Sequence, residues 1–106
     1  MTASDVPSSS RAYTLTTWHV KAGMEEEFVT RWSEWIDWSH LQGLGAHAIL
    51  LRDIERPETF ISFGPWESIE AVRHWRFLPG YDERVARLHD VLESFEPTTL
   101  EVLARR

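Results

Sequence analysis

Six tryptophans in 106 residues carry the most conspicuous chemistry of this chain, and Trp32, Trp35 and Trp38 stand three apart. An indole offers a flat polarisable face and a single N–H donor, which suits a planar ligand that carries an oxygen. Trp66, directly after Pro65, has this equipment just ahead of a helix start. Its ring can lie against a planar substrate while its N–H donates to a substrate oxygen. Trp32 and Trp35 share one helical stripe and read first as core. Trp38 is off that stripe and is expected at a partner surface or a pocket mouth.

Other chemistries fall away by residue type and spacing. His19, His40, His47, His74 and His89 include no pair at i+3 or i+4 and no acidic neighbour in a ligand pattern, so no metal site is expected. The chain has no cysteine, which removes disulfides, thiolate ligands and thiol nucleophiles. The run from Gly43 to Ala48 mimics a dinucleotide fingerprint, but it follows a helix and precedes a strand, the reverse of what a phosphate site needs. Glu25, Glu26 and Glu27 are accounted for by the positive end of a helix dipole. No serine sits in a nucleophile elbow.

Composition narrows the class. A formal net charge of −6 opposes general nucleic-acid binding, which needs a basic surface. A hydrophobic share of 42% with 26% charged residues fits a folded globular chain rather than a disordered one. No apolar run reaches the roughly 18 residues of a membrane span, and the first residues lack the blocks of a signal peptide. A cytoplasmic protein with no membrane partner is the expectation. Residues 1–11 are small, polar and aperiodic and read as a flexible tail; residues 12–106 form one domain.

The elements that must position the tryptophans follow from periodicity. Residues 13–20, YTLTTWHV, are β-branched and aromatic and predict a strand. A helix opens after Gly23, carries Phe28, Trp32, Trp35 and Ser39 on one face, and ends near His40. Strands are expected over 46–53 and 59–64, joined by the polar IERPE loop. Ser68 caps a short helix holding Ile69, Val72 and Trp75, which Pro79-Gly80 interrupts. Tyr81, Val85, Leu88, Leu92 and Phe95 predict a further helix running to Pro97. Residues 98–104 are then the last strand.

That order is the ferredoxin-like βαββαβ pattern, an α+β fold with a four-stranded antiparallel sheet and helices on one face. The first strand puts Thr14, Thr16, Trp18 and Val20 on one side and Tyr13, Leu15, Thr17 and His19 on the other. Ile61 and Phe63 oppose Phe60 and Ser62 in the third strand. Large apolar groups on both faces, with helices for one, predict a homodimer packed sheet to sheet.

Three segments, VKAGMEEEF, LLRDIERPETFISFGPWES and FLPGY, resemble the antibiotic biosynthesis monooxygenase domain family over about residues 13–104. The resemblance implies a dimeric α/β barrel with a pocket between sheet and helices. It also implies oxygenases that form quinones without a cofactor, and haem-degrading relatives. The haem-degrading relatives' asparagine, tryptophan and histidine fall at Thr16, Trp66 and Trp75 or Arg76, so one position of three is matched. The expectation is therefore a cofactor-independent monooxygenase that oxidises a planar phenolic or quinol compound with dioxygen. A non-catalytic ligand-binding module and a haem protein are the alternatives.

On this reading Trp66, Arg76 and His74 are the candidate catalytic residues. Arginine can hold a phenolate or enolate, and an imidazole can take a phenolic proton. Thr16, Trp18, Trp32, Trp35, Trp75 and Tyr81 are the candidate substrate-binding residues.

Overall fold

The computed structural model describes residues 11–43 and 47–106. Seven elements follow in order: β1 (Ala12–Val20), α1 (Glu25–Leu41), β2 (Ile49–Arg52), β3 (Thr59–Trp66), α2 (Ile69–Arg76), α3 (Tyr81–His89) and β4 (Leu92–Glu101). The strands form one open antiparallel sheet in the order β2-β3-β1-β4. This is the ferredoxin-like arrangement expected from the pattern of elements. The expected tail over 1–11 falls, apart from Arg11, outside the described residues. So do Ala46, where the second strand was expected to begin, and part of the run from Gly43 to Ala48. Arg11 itself donates its backbone N–H to the Trp66 carbonyl at 3.1 Å.

The core lies between one face of the sheet and the helices. From β1 it takes Ala12, Trp18 and Val20, from α1 Phe28, Trp32 and Trp35, from α2 Val72 and Trp75, and from α3 Leu88. Period 2 along β1 puts its even-numbered residues on this helix-covered face. The α1 stripe recurs at three- and four-residue steps, Phe28, Trp32, Trp35 and Ser39 all being buried. Glu25, Glu26 and Glu27 do occupy its first turn, and the Arg31 guanidinium ties α1 to the Arg87 carbonyl of α3 at 2.7 Å. Ser68 caps α2, its hydroxyl accepting from the Ala71 N–H at 3.0 Å.

The last helix and strand differ from expectation. α3 stops at His89, β4 begins at Leu92, and Pro97 lies within the strand opposite Thr16. The cause is a bulge. Trp18 pairs with Phe95, but two residues later Val20 pairs with Leu92, so β4 spends an extra residue there. Leu92 and Phe95 thus reach one face at a spacing of three, which mimics the helical stripe of Tyr81, Val85 and Leu88. Pro97 is tolerated because β4 is an edge strand.

In the β2–β3 hairpin, β2 is shorter than expected and β3 longer. Asp53 leaves β2 to close a turn, its Oδ1 accepting from the N–H groups of Glu55 and Arg56 at 2.9 and 3.2 Å. β3 continues through Pro65 to Trp66, since the β2 ladder begins opposite Phe63 and leaves that side of β3 unpaired at Pro65, which has no N–H to donate. At Gly64 the backbone of His47 and Ala48 comes so close that a Cβ would overlap the His47 carbonyl, so only glycine fits.

The opposite face of the sheet carries Tyr13, Leu15, Ile61 and Phe63, all half-buried, with exposed Ile49, Leu51 and Leu100 beside them. None of the three helices contributes to this side. Among the described residues no helix is long and apolar enough to cross a membrane.

Candidate functional site

The residues on the helix-covered face are graded in size. Trp18, Phe60 and Trp66 are bulky, whereas Thr14, Thr16 and Ser62 between them are small. α1 answers with wide indoles that bridge over the small positions rather than filling them. The result is a cavity of about 330 Å³ between sheet and helices. Its floor is Thr14, Thr16, Ser62 and Pro97; its roof includes Trp32, Trp35 and Ser39 of α1, with Trp75, Arg76 and Tyr81 from α2 and α3. His47 and Ala48 border it from the chain entering β2.

The rings form one connected aromatic wall. Phe95 stacks on Trp18, with centroids 5.5 Å apart and planes 14° from parallel. Trp18 meets Trp35 edge to face at 5.9 Å, and Trp35 lies 5.1 Å from Trp75. Trp75 in turn contacts Trp66 at 4.8 Å and Tyr81 at 5.0 Å. Such offset and edge contacts are the favoured geometry for aromatic pairs.

Three of the indole N–H groups are tied to hydroxyls. Trp18 donates to Ser62 Oγ, Trp66 to Thr14 Oγ1 and Trp75 to Ser39 Oγ, each at 2.9 Å. Ser39 donates its own O–H to the Trp35 carbonyl at 3.0 Å. Trp32 and Trp35 are also buried, but among the described residues their Nε1 atoms have no hydrogen-bond partner. The expected bond from Trp66 to a substrate oxygen is therefore replaced by an internal one, because Thr14 lies within reach on the neighbouring strand β1. Trp66 keeps its ring face for stacking but has already committed its donor.

Arg76, Tyr81 and His47 are the charged or titratable residues on the cavity border. Arg76 donates to Thr99 Oγ1 at 3.3 Å and stands beside the Tyr81 hydroxyl. Burial pushes the Tyr81 phenol above the ordinary tyrosine value of 10.0, and the Arg76 cation opposes part of that rise. His47 borders the cavity as well, and it is exposed.

Eight of the nine sequence-derived site residues border this one cavity: Trp66, Arg76, Thr16, Trp18, Trp32, Trp35, Trp75 and Tyr81. His74 does not. It is exposed on α2, one residue and about 100° around the helix from the buried Trp75. Trp38 also lies elsewhere, its ring against Gly80 and under the Arg84 guanidinium, 5.5 Å from centroid to Cζ. Thr14, Ser39, Ser62 and His47 were missed by sequence reasoning. Ser39 alone left a signal, a polar residue on an otherwise apolar stripe.

Ser39→Ala leaves the Trp75 N–H without its acceptor, so unfolding in urea is expected to show a loss of about 1–3 kcal/mol with unchanged slope. In a Trp75→Phe background the same substitution should cost clearly less, because the orphaned donor is gone. For Tyr81, absorbance at 295 nm should reveal ionisation above the ordinary tyrosine range, absent in Tyr81→Phe. Arg76→Gln should move it higher still. Since the folded state holds this proton more tightly than the unfolded one, its contribution to stability is present below pH 10 and lost as pH rises through the folded value.

No protein-family model and no curated protein is matched by the sequence. Solved structures are. A variant of SnoaB, a cofactor-independent oxygenase from Streptomyces nogalater, superposes with a TM-score of 0.78 at 17% identity, over 92% of this chain and 95% of that one. A candidate antibiotic biosynthesis monooxygenase from Caulobacter crescentus gives 0.79 at 12% identity, over 90% and 92%. A conserved protein from Methanosarcina mazei gives 0.74 at 18%, over 88% and 94%. The chain thus has the ferredoxin-like fold of SnoaB and of structures named for antibiotic biosynthesis monooxygenases.

Proposed function

We propose that this chain is a cofactor-independent monooxygenase that holds a planar phenolic or anthrone-type compound in the aromatic cavity and oxidises it to a quinone with dioxygen. The observation that carries this reading is the partly open, largely aromatic space of about 330 Å³ with Arg76, Tyr81 and His47 at its border. It is of the size and apolar character that small-molecule sites have. The shared fold with SnoaB supports it from a second side.

The chemistry balances without an external reductant. A base takes one proton from the substrate, and the resulting anion gives one electron to dioxygen. Substrate radical and superoxide combine to form a C–O bond, and the peroxide recovers the proton from the base. The O–O bond then breaks as the carbon loses its second hydrogen, giving a carbonyl and water. In this scheme Arg76 and the Tyr81 hydroxyl favour the anion by charge and hydrogen bonding. His47 takes the proton in place of His74, since His47, itself exposed, borders the cavity and His74 does not. Trp66 stacks on the substrate and orients it, and the surrounding rings exclude water from the anion.

Oxygen uptake with an anthrone is the test. The wild type should consume oxygen above the blank rate with one quinone formed per dioxygen. Trp66→Phe should lower kcat/KM about tenfold or more, and His47→Asn should lower kcat. No uptake by the wild type overturns the oxygenase reading. Quenching of tryptophan emission by the same compounds without any turnover would instead support a ligand-binding module.

We propose in addition that two copies pair through the uncovered sheet face, where Tyr13, Leu15, Ile49, Leu51, Ile61, Phe63 and Leu100 make an apolar surface. Sedimentation at micromolar concentration should give a dimer, and Leu15→Glu with Phe63→Glu should give a monomer. A wild-type monomer contradicts this pairing.

A further inference from the structure

A hydroxyl that accepts one hydrogen bond still has a proton to give. Thr14, Ser39 and Ser62 each accept an indole N–H at 2.9 Å, and all three border the cavity. They differ in what becomes of their own protons. Ser39 lies on a helix, where a serine can reach back one turn, and it donates to the Trp35 carbonyl. Thr14 and Ser62 lie on strands, whose carbonyls point along the sheet while the side chains stand out from it. Among the described residues neither of these two hydroxyls has an acceptor for its proton.

The two strand hydroxyls are placed to act together. Thr16 faces Ser62 across the β1–β3 ladder, so Thr14 is the diagonal neighbour of Ser62 on the helix-covered face. Diagonal side chains on one face start roughly 7 Å apart, which leaves room for a single oxygen within hydrogen-bond distance of both hydroxyls. Thr14 is half-buried and Ser62 buried, so Thr14 is the more accessible of the two. Each is polarised from behind, Thr14 by the Trp66 N–H and Ser62 by the Trp18 N–H. In such an N–H to O–H chain the terminal proton is a stronger donor than that of a lone hydroxyl.

We infer that Thr14 and Ser62 are a donor pair on the cavity floor that holds the ionised oxygen of the substrate, with Trp66 and Trp18 acting through them as positioning residues. The assignment rests on the reading of the cavity as the substrate site. Arg76 and Tyr81 act on the anion from the border, whereas the hydroxyl pair acts from beneath, at a fixed point. Both donors stand on a hydrogen-bonded ladder and are held by an indole, so little reorganises as charge develops. That is the condition under which hydrogen-bond donors stabilise an anion most. Trp66 then takes part twice, with its face toward the substrate ring and its N–H toward Thr14.

The test reads the acidity of a bound phenol. 2-Naphthol has a single oxygen, and its anion absorbs at longer wavelength than any indole, so its ionisation in the protein is followed by absorbance. Stacking favours both protonation states alike, whereas a donor to the anion favours naphtholate alone. The wild type should bind naphtholate about tenfold or more tightly than naphthol, which lowers the pKa of the bound probe by about one pH unit or more. Thr14→Val should reduce that preference roughly fivefold or more, and Thr14→Ser should keep it. Trp66→Phe should weaken binding of both forms through lost stacking and, beyond that, reduce the preference for naphtholate. Arg76, Tyr81 and His47 are common to all these variants and cancel in the comparison.

An unchanged preference in Thr14→Val overturns the inference, and so does a Trp66→Phe variant that weakens both forms alike. A wild type that binds the two forms equally, or binds neither, overturns it as well. Should Thr14→Val not fold, Ser62→Ala serves in its place, with the same loss of preference expected. A Thr14-dependent preference for naphtholate without oxygen uptake from an anthrone leaves the inference standing and removes only the oxygenase reading.

Discussion

A buried indole N–H needs an acceptor, and this requirement organises the interior of the chain. Three hydroxyls on three different elements answer it. Ser62 of β3 takes Trp18 of β1, Thr14 of β1 takes Trp66 of β3, and Ser39 of α1 takes Trp75 of α2. Each bond joins residues at least 36 positions apart in the chain, so each holds a wide ring across an element boundary. The small side chains that accept these bonds also leave the space that the rings surround. The cavity and the stability of the fold therefore rest on the same contacts.

That arrangement also divides labour among the tryptophans. A ring whose donor is committed inside the protein can still stack, exclude water and shape a wall. A ring whose buried donor has no partner among the described residues stands apart from these. Trp18, Trp66 and Trp75 belong to the first kind, and Trp32 and Trp35 to the second. At the far end, Arg76 beside the half-buried Tyr81 hydroxyl gives the cavity one positively charged corner. An aromatic anion fits both requirements, a flat apolar body with negative oxygen at its edge.

Much of the fold was legible because period-2 and helical stripes are strong in β1 and α1 and because Ser68 caps α2 as its type suggests. The end of the chain was not. A bulge at Val20 brought Leu92 and Phe95 to one face three residues apart, and that spacing is indistinguishable from a helix in one dimension. The site divided similarly. Trp66 and Trp75 could be found from their positions, but the use of their N–H groups depended on Thr14 and Ser39, which are 52 and 36 residues away. His47 had no local signal at all, since it reaches the cavity only because Gly64 admits its backbone against β3. His74 carried the right chemistry on the wrong side of a helix, which a single step of register decides.

The central claim is that the space between sheet and helices is a site for a flat oxygenated aromatic molecule. A crystal structure of the chain with bound anthraquinone-2-sulfonate tests it most directly. The claim predicts the ring system against Trp66, between the sheet and the indoles of α1. A cavity filled by its own side chains, with the compound absent or lying on the outer face of the sheet, would contradict it.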